Sequence, residues 1–226
     1  MIRWLLRRLL PQKLKKMLQG FHILFERYNY RGSILRSACI DRAGDATPWY
    51  TYPAIEYLSG LDFSACRVLE FGAGASSLWW ARRAGSVVSI ESDPAWYERL
   101  ESPRQANLEI RFAADVQAYL AAAGSGRFDV IVIDGIHRQL CAEHIGSLIA
   151  AGGMVILDNS DWHPVAARYL REHYDLIQVD FHGFGPINGY TWTTSIFLSR
   201  SFVVRPATAR LPGYSAGAII KLAEGQ

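Results

Sequence analysis

Short apolar runs alternate with amphipathic stretches along most of the chain, and the runs have the length and composition of buried strands. The first run, Val68–Phe71, is followed by a glycine turn, a helical pattern from about Ser76 to Arg83 and a second run at Val87–Ile90. Further strands are predicted at 108–112, 128–134, 154–157, 176–181 and 191–198. Because strands that alternate with helices form parallel sheets covered on both faces, we predict an α/β fold with a doubly wound, seven-stranded sheet.

A glycine turn and an acidic residue mark a candidate nucleoside site in the first two strands. Gly72 and Gly74 follow the first strand, where a Cβ would clash with a ligand or forbid positive φ. Glu91 ends the second strand, at the position from which a carboxylate contacts ribose hydroxyls in such units. The third glycine of the dinucleotide pattern G-x-G-x-x-G is replaced by Ser77, so the motif departs from a pyrophosphate-binding site.

The strand followed by Glu70, Gly72 and Gly74 resembles the first motif of the class I S-adenosylmethionine-dependent methyltransferases, E/D-x-G-x-G. The resemblance implies S-adenosylmethionine as cofactor, with Glu70 and the glycine turn along its methionine part and Glu91 at its ribose. Ser76 belongs to the same predicted site. The resemblance also implies a Rossmann-like sheet that is mostly parallel, with an antiparallel last strand. It places Asp115, after the third strand, near the adenine amino group, whereas the alternative for Asp115 is a surface turn.

Polar side chains also end two central predicted strands. Asp134 follows the fourth strand and Asp158 and Asn159 follow the fifth. Because ligands bind at the carboxyl ends of such strands, these oxygens suit Mg²⁺ or Mn²⁺. The trio resembles the metal site of the catechol and caffeoyl-CoA type O-methyltransferases, and His137 resembles the macrocin-type sugar enzymes. The alternative is that Asp134 and Asp158 cap the helices that follow.

The predicted reaction is methyl transfer to an oxygen of a small molecule or sugar. A bound cation would lower the pKa of the acceptor hydroxyl, and His137 would take the proton, because its reference pKa lies near neutrality. We therefore assign catalytic roles to His137 and Asp134, with Asp134 also at the cofactor. The alternatives are a metal-independent methyltransferase, a nicotinamide oxidoreductase and a non-catalytic scaffold, and for His137 a structural role at a helix start.

Composition limits the class of protein. The 226 residues fit one α/β domain with appendages, and the three scattered cysteines are typical of reduced thiols in a cytoplasmic protein. Residues 41–226 carry fifteen Lys or Arg against twenty Asp or Glu, a net charge of −5. A nucleic-acid substrate is therefore not expected, because such a substrate usually needs a basic face.

The N-terminal segment differs from the rest. Residues 1–40 carry nine Lys or Arg and one acid, a net charge of +8, in an amphipathic helical pattern broken near Pro11. We divide the chain into this segment, a catalytic domain at 41–202 and a tail at 203–226. The segment is too interrupted by charge to span a membrane. It predicts either peripheral membrane contact or a helix packed on the domain or on a partner subunit of a homo-oligomer; the side chains for membrane contact are Trp4, Leu5, Leu9 and Leu10.

An aromatic cluster precedes the first predicted strand. Trp49, Tyr50 and Tyr52 lie next to a helix that begins near Pro53. Their side chains either line the pocket or pack this helix against the sheet, and the sequence leaves both alternatives open.

Overall fold

A mixed, seven-stranded sheet forms the centre of the protein in a computed structural model that describes residues 10–100, 105–208 and 213–220. The strands are β1 Arg67–Phe71, β2 Ser86–Glu91, β3 Leu108–Phe112, β4 Phe128–Ile133, β5 Ile149–Asp158, β6 Ile177–Gly183 and β7 Trp192–Leu198. Their order is β3-β2-β1-β4-β5-β7-β6. The first five pair in parallel, whereas β7 is antiparallel to both β5 and β6. The predicted fold class is therefore confirmed.

Helices cover both faces of the sheet. They are α1 Gln12–His22, α2 Tyr30–Arg36, α3 Tyr52–Ser59, α4 Ala75–Ala81, α5 Pro94–Leu100, α6 Val116–Ala121, α7 Arg138–His144 and α8 Pro164–His173, with a π-helical turn at Ile23–Arg27 and a 3₁₀ turn at Ile145–Ser147. Strand β4 shows why both faces need a cover. Ile131 and Ile133 pack into one hydrophobic core, and Val130 and Val132 pack into the other. An all-apolar strand of this kind is stable only when helices bury both of its faces.

The boundary between α7 and β5 differs from the prediction. The sequence predicts the fifth strand at 154–157, but α7 ends at His144 and β5 begins at Ile149. Leu148 nevertheless packs into the core, so its hydrophobicity did not distinguish a helix from the turn before a strand. Gly153 permits the close approach of β4, because a Cβ there would lie 2.9 Å from the Asp129 carbonyl oxygen.

Strand register aligns the ends of the central strands. Phe71 of β1 pairs with Ile133 of β4, and Ile133 pairs with Leu157 of β5. The residues that follow, Gly72, Asp134 and Asp158, therefore lie side by side at one edge of the sheet. This edge is formed by the carboxyl ends of parallel strands, where open α/β sheets bind ligands.

The N-terminal segment contains α1 and α2. No side chain of α1 is buried, whereas Ser33 of α2 is fully buried and its Oγ donates a hydrogen bond to the Ile40 carbonyl oxygen over 3.0 Å. Trp4, Leu5 and Leu9, which the membrane prediction uses, lie outside the described residues. Within residues 10–100, 105–208 and 213–220, no helix is long and apolar enough to cross a membrane.

Candidate active site

A cavity of about 730 Å³ opens at the carboxyl ends of β1, β2, β4 and β5. Its volume is typical of small-molecule sites. The strand ends and the loops that follow them contribute Gly72, Ala73, Gly74, Ala75, Ser76, Glu91, Asp134, Gly135, Arg138, Asp158 and Asn159. The surrounding segments contribute Ser37, Ala38, Cys39, Ile40, Trp49, Trp96, Trp162, Ile187, Asn188 and Tyr190, among others. The cavity thus brings together most of the residues predicted for the cofactor.

The two predicted glycines have different roles in the turn after β1. Gly72 has φ of +104°, and a Cβ there would lie 2.5 Å from the Gly135 backbone nitrogen. Gly74 has an extended backbone, and the atom nearest to a Cβ there would be the Ser76 Oγ at 3.8 Å. Gly72 therefore lets two loops pack together, whereas the space above Gly74 is part of the cavity.

Glu91 is held in a fixed orientation at the cavity wall. Its Oε2 accepts a hydrogen bond from the Ala73 N–H over 3.1 Å, and its Oε1 accepts hydrogen bonds from the N–H groups of Ser92 and Asp93 over 2.7 and 2.8 Å. Because a carboxylate oxygen has two lone pairs, Oε2 retains acceptor capacity for a ligand hydroxyl. Trp96 completes this wall and donates from Nε1 to the Ala73 carbonyl oxygen over 2.7 Å.

Glu70 lies beneath the glycine turn, not in the cavity. Its Oε2 accepts hydrogen bonds from the hydroxyls of Ser77 and Ser89, and the Ser77 Oγ in turn accepts one from the Gly74 N–H over 2.9 Å. Glu70 therefore supports the turn from below, and its contact with the cofactor stays a prediction. Burial raises the pKa of Glu70 to about 6, although the serine hydroxyls oppose this shift.

Arg138 joins the two strand ends that carry the predicted metal ligands. Its Nη2 donates to the Asp134 Oδ1 over 2.9 Å, and its Nη1 donates to the Asn159 Oδ1 over 3.0 Å. The side chains of Arg138 and Asp134 are only 11% and 17% exposed, so solvent screens their ion pair weakly. The Asp158 carboxylate accepts from the Trp192 Nε1 over 3.1 Å and from the Thr194 hydroxyl.

This arrangement does not fit a divalent cation. The guanidinium of Arg138 lies between Asp134 and Asn159 and engages the oxygens that a metal would use. In the part of the chain that the structure describes, no cluster of three or more His, Cys, Asp or Glu side chains is suited to a metal ion. A metal is therefore not assigned to Asp134, Asp158 and Asn159, because Arg138 already engages an oxygen of Asp134 and an oxygen of Asn159.

The two carboxyl groups interact electrostatically. Burial and the neighbouring Asp158 raise the pKa of Asp134, and the charge of Arg138 opposes the shift. Burial also raises the pKa of Asp158, against hydrogen bonds from Thr194 and Trp192. Because each group disfavours ionisation of the other, they titrate as a pair.

Besides Glu70, two further predicted site residues are not part of the cavity lining. His137 is exposed and begins α7 with φ of +53°, and Arg138 lines the cavity instead. The role of His137 as a base stays a prediction. Asp115 caps α6, where its Oδ1 accepts a hydrogen bond from the Ala118 N–H over 2.9 Å. Asp115 and His137 each lie at the N-terminus of a helix.

Several cavity residues were missed from the sequence. Arg138 was detectable, because it lies four residues after Asp134, a spacing at which an acid and a base pair across one turn. Trp96 and residues 37–40 had no motif that indicated a ligand. Burial raises the pKa of Cys39 to about 12, with further contributions from the charges of Asp134 and Asp158, so this cavity thiol is not an activated nucleophile.

The aromatic side chains before β1 include both pocket-lining and packing residues. Trp49 lines the cavity and is 44% exposed. Tyr50 is fully buried, and its hydroxyl accepts a hydrogen bond from the Trp80 Nε1 over 3.4 Å. Tyr52 stacks on Tyr28 with ring centroids 4.5 Å apart. One of the three aromatic side chains thus lines the pocket and two pack the neighbouring helices.

The fold of this protein resembles those of a solved methyltransferase and a solved pre-rRNA processing protein. No family model and no curated protein matches the chain. The solved precorrin-6y C5,15-methyltransferase from Geobacter metallireducens GS-15 is 14% identical with a TM-score of 0.50, over 71% of this chain and 96% of that one. The fibrillarin pre-rRNA processing protein from Methanococcus jannaschii is 16% identical with a TM-score of 0.51, over 68% and 76%. At these identities the similarity shows a shared Rossmann-like fold.

The two turn glycines provide a matched test of the site. Gly72→Ala is expected to lower the free energy of unfolding by about 2 kcal/mol or more, because alanine is strained at positive φ and its Cβ would contact Gly135. Gly74→Ala is expected to change stability by less than about 1 kcal/mol, because its Cβ has room. Urea denaturation of both variants measures the difference, and equal losses would contradict the distinct roles.

The buried Glu70 predicts a pH dependence of stability. Because its pKa rises from 4.5 to about 6 on folding, the folded state holds the proton more tightly, and stability is lost as the pH rises through this interval. Relative to Glu70→Gln, the wild type is expected to lose about 2 kcal/mol between pH 4.5 and pH 7. Urea denaturation at both pH values measures this change.

Glu109→Gln is the matched control for Glu70→Gln. Glu109 is exposed, and a hydrogen bond from Arg111 lowers its pKa. The control is expected to show a small change of opposite sign. A stability difference between wild type and Glu70→Gln that stays constant with pH would contradict the assigned pKa shift.

Proposed function

We propose that the protein is an S-adenosylmethionine-dependent methyltransferase that methylates a hydroxyl of a small molecule or sugar. The observation that carries the proposal is the single cavity that joins the open turn at Gly74, the fixed carboxylate of Glu91 and the acidic cluster at Asp134 and Asp158. The shared fold with a known methyltransferase supports the same class of reaction.

The cavity wall has the groups that such a cofactor needs. Glu91 would accept hydrogen bonds from the ribose hydroxyls. The backbone from Gly72 to Gly74 would contact the methionine part of the cofactor. When bound, S-adenosylmethionine supplies a methyl group on a positively charged sulfur. The carboxylates of Glu91, Asp134 and Asp158 favour this positive charge.

The charge of the cavity disfavours a dinucleotide. Among its described lining residues Arg138 is the one basic side chain, and Asp134 and Asn159 already engage it. A pyrophosphate would therefore meet three carboxylates and no uncommitted cation. This electrostatic balance supports a sulfonium cofactor over a nicotinamide dinucleotide.

The side chains near the strand ends suit a hydroxylated acceptor. Trp162 and Tyr190 line the cavity with ring centroids 6.1 Å apart, and their flat faces suit a ring or the apolar face of a sugar. The Asp158 carboxylate would accept the hydroxyl proton, because Arg138 already engages the Asp134 carboxylate. Arg138 would hold the neighbouring Asp134 in its ionised form, because its Nη2 donates to the Asp134 Oδ1 over 2.9 Å. In this proposal Arg138 provides the positive charge that the sequence assigned to a metal.

Calorimetric titration tests the cofactor. S-Adenosylhomocysteine is expected to bind saturably, and Glu91→Gln is expected to weaken its affinity roughly tenfold, because an amide replaces a charged acceptor for the ribose hydroxyls. Glu109→Gln is the control, since Glu109 lies outside the cavity lining. Binding of NADH in place of S-adenosylhomocysteine would overturn the proposal.

Labelled methyl transfer from S-adenosylmethionine to a panel of monosaccharides and catechols tests the catalytic groups. Asp158→Asn is expected to lower turnover by roughly 100-fold, because the proton acceptor is lost, while the affinity for S-adenosylhomocysteine stays within about threefold. Asp161→Asn is the control, because Asp161 lies outside this cavity. A chelator is expected to leave the rate unchanged; loss of activity that Mg²⁺ restores would contradict the role of Arg138.

A further inference from the structure

Helix α1 presents an apolar face that no other part of the described chain buries. Leu14, Met17, Leu18 and Phe21 recur at intervals of three and four residues, so they form one stripe along the helix. Met17 and Phe21 are 61% and 55% exposed, and Leu14 and Leu18 are also exposed. An isolated helix of this length is marginally stable in water, so an exposed stripe of this kind indicates a binding surface.

The polar face of α1 is basic. Lys13, Lys15 and Lys16 lie outside the apolar stripe, and the helix contains no Asp or Glu. The helix belongs to the first 40 residues, whose net charge is +8, whereas the remainder of the chain carries −5. A large apolar face bordered by lysines is characteristic of helices that lie in the interface of a bilayer.

We propose that α1 binds the surface of an anionic phospholipid bilayer, with its apolar stripe in the interface and its lysines at the headgroups. Charge complementarity supports this occupant, because each lysine gains from a negative surface potential. A second copy of the helix is a poorer occupant, since it would add three more lysines and no acidic side chain to compensate them. The inference is independent of the proposed chemistry.

The structure connects this helix to the cavity over a short stretch of chain. The π-helical turn and α2 follow α1 directly, and the Tyr30 hydroxyl donates to the Asn188 carbonyl oxygen over 2.9 Å. Asn188 and the segment after α2, Ser37–Ile40, line the cavity. Contact between α1 and a bilayer would thus hold the cavity close to the membrane surface.

Vesicle flotation of the protein tests the proposal. One set of vesicles contains phosphatidylcholine alone, and the other also contains about 30% phosphatidylserine, which gives the surface a negative charge. The wild type is expected to float with the anionic vesicles. The variant Met17→Glu/Phe21→Glu is expected to bind at least roughly tenfold more weakly, because charges enter the apolar stripe. Replacement of Lys13, Lys15 and Lys16 by Gln is expected to weaken binding roughly fivefold for each lysine.

The matched control is Gln12→Glu/Gln19→Glu, which adds the same charge outside the apolar stripe. It is expected to weaken binding much less than Met17→Glu/Phe21→Glu. Equal loss in both variants, or equal flotation with neutral and anionic vesicles, would overturn the proposal. The proposal would also be overturned if sedimentation showed that the wild type is a dimer and that Met17→Glu/Phe21→Glu is a monomer, while both float equally with the vesicles. Circular dichroism and thermal unfolding confirm that each variant is folded, which is expected because α1 buries no side chain.

Discussion

The close contact between Gly72 and Gly135 is the constraint on which the site depends. Parallel pairing of β1 with β4 brings their loops out of the sheet side by side, and the Asp134 N–H donates to the Phe71 carbonyl oxygen over 2.9 Å. A Cβ on Gly135 would lie 2.8 Å from the Gly72 Cα. The loops can meet only because neither residue has a side chain. This contact sets the distance between the glycine turn and the acidic strand ends, and so defines the cavity.

Electrostatics then determines what the cavity can hold. Three carboxylates face it, and the one guanidinium among its described lining residues is already hydrogen-bonded to Asp134 and Asn159. Burying the ion pair of Arg138 and Asp134 costs free energy, because both charges lose their hydration. Removing one partner also costs free energy, because the other charge stays buried and uncompensated. In the sequence, the oxygens of Asp134, Asp158 and Asn159 suit a metal ion. In the structure, the guanidinium of Arg138 binds oxygens of Asp134 and Asn159 instead.

The N-terminal segment connects the exposed surface of α1 with the wall of the cavity. Its first helix is solvent-exposed and amphipathic, whereas residues 37–40 are part of the cavity wall. Hydrogen bonds from Ser33 and Asn29 to the backbone of Ile40 and Asp41 hold the end of this segment in place. A ligand at the cavity and a partner at α1 would therefore contact one short stretch of chain.

The sequence by itself determined the sheet, its strands and the position of the glycine turn and Glu91, because apolar periodicity and glycine chemistry are local properties. It also indicated the importance of Asp134 and Asp158, since strand ends of a parallel sheet meet at one edge. It did not distinguish a residue that lines the cavity from one beneath it. Glu70 and His137 illustrate this, because their direction depends on packing and on the backbone at the start of a helix.

Only the tertiary structure decided which partner each polar group has. Arg138 lies between Asp134 and Asn159 because β4 and β5 are neighbours, and these two residues are 25 positions apart in the chain. The residues of the N-terminal wall and Trp96 are likewise brought to the cavity by contacts between distant segments. Local patterns specify which groups reach the edge of the sheet, whereas burial and long-range pairing determine how their charges are compensated.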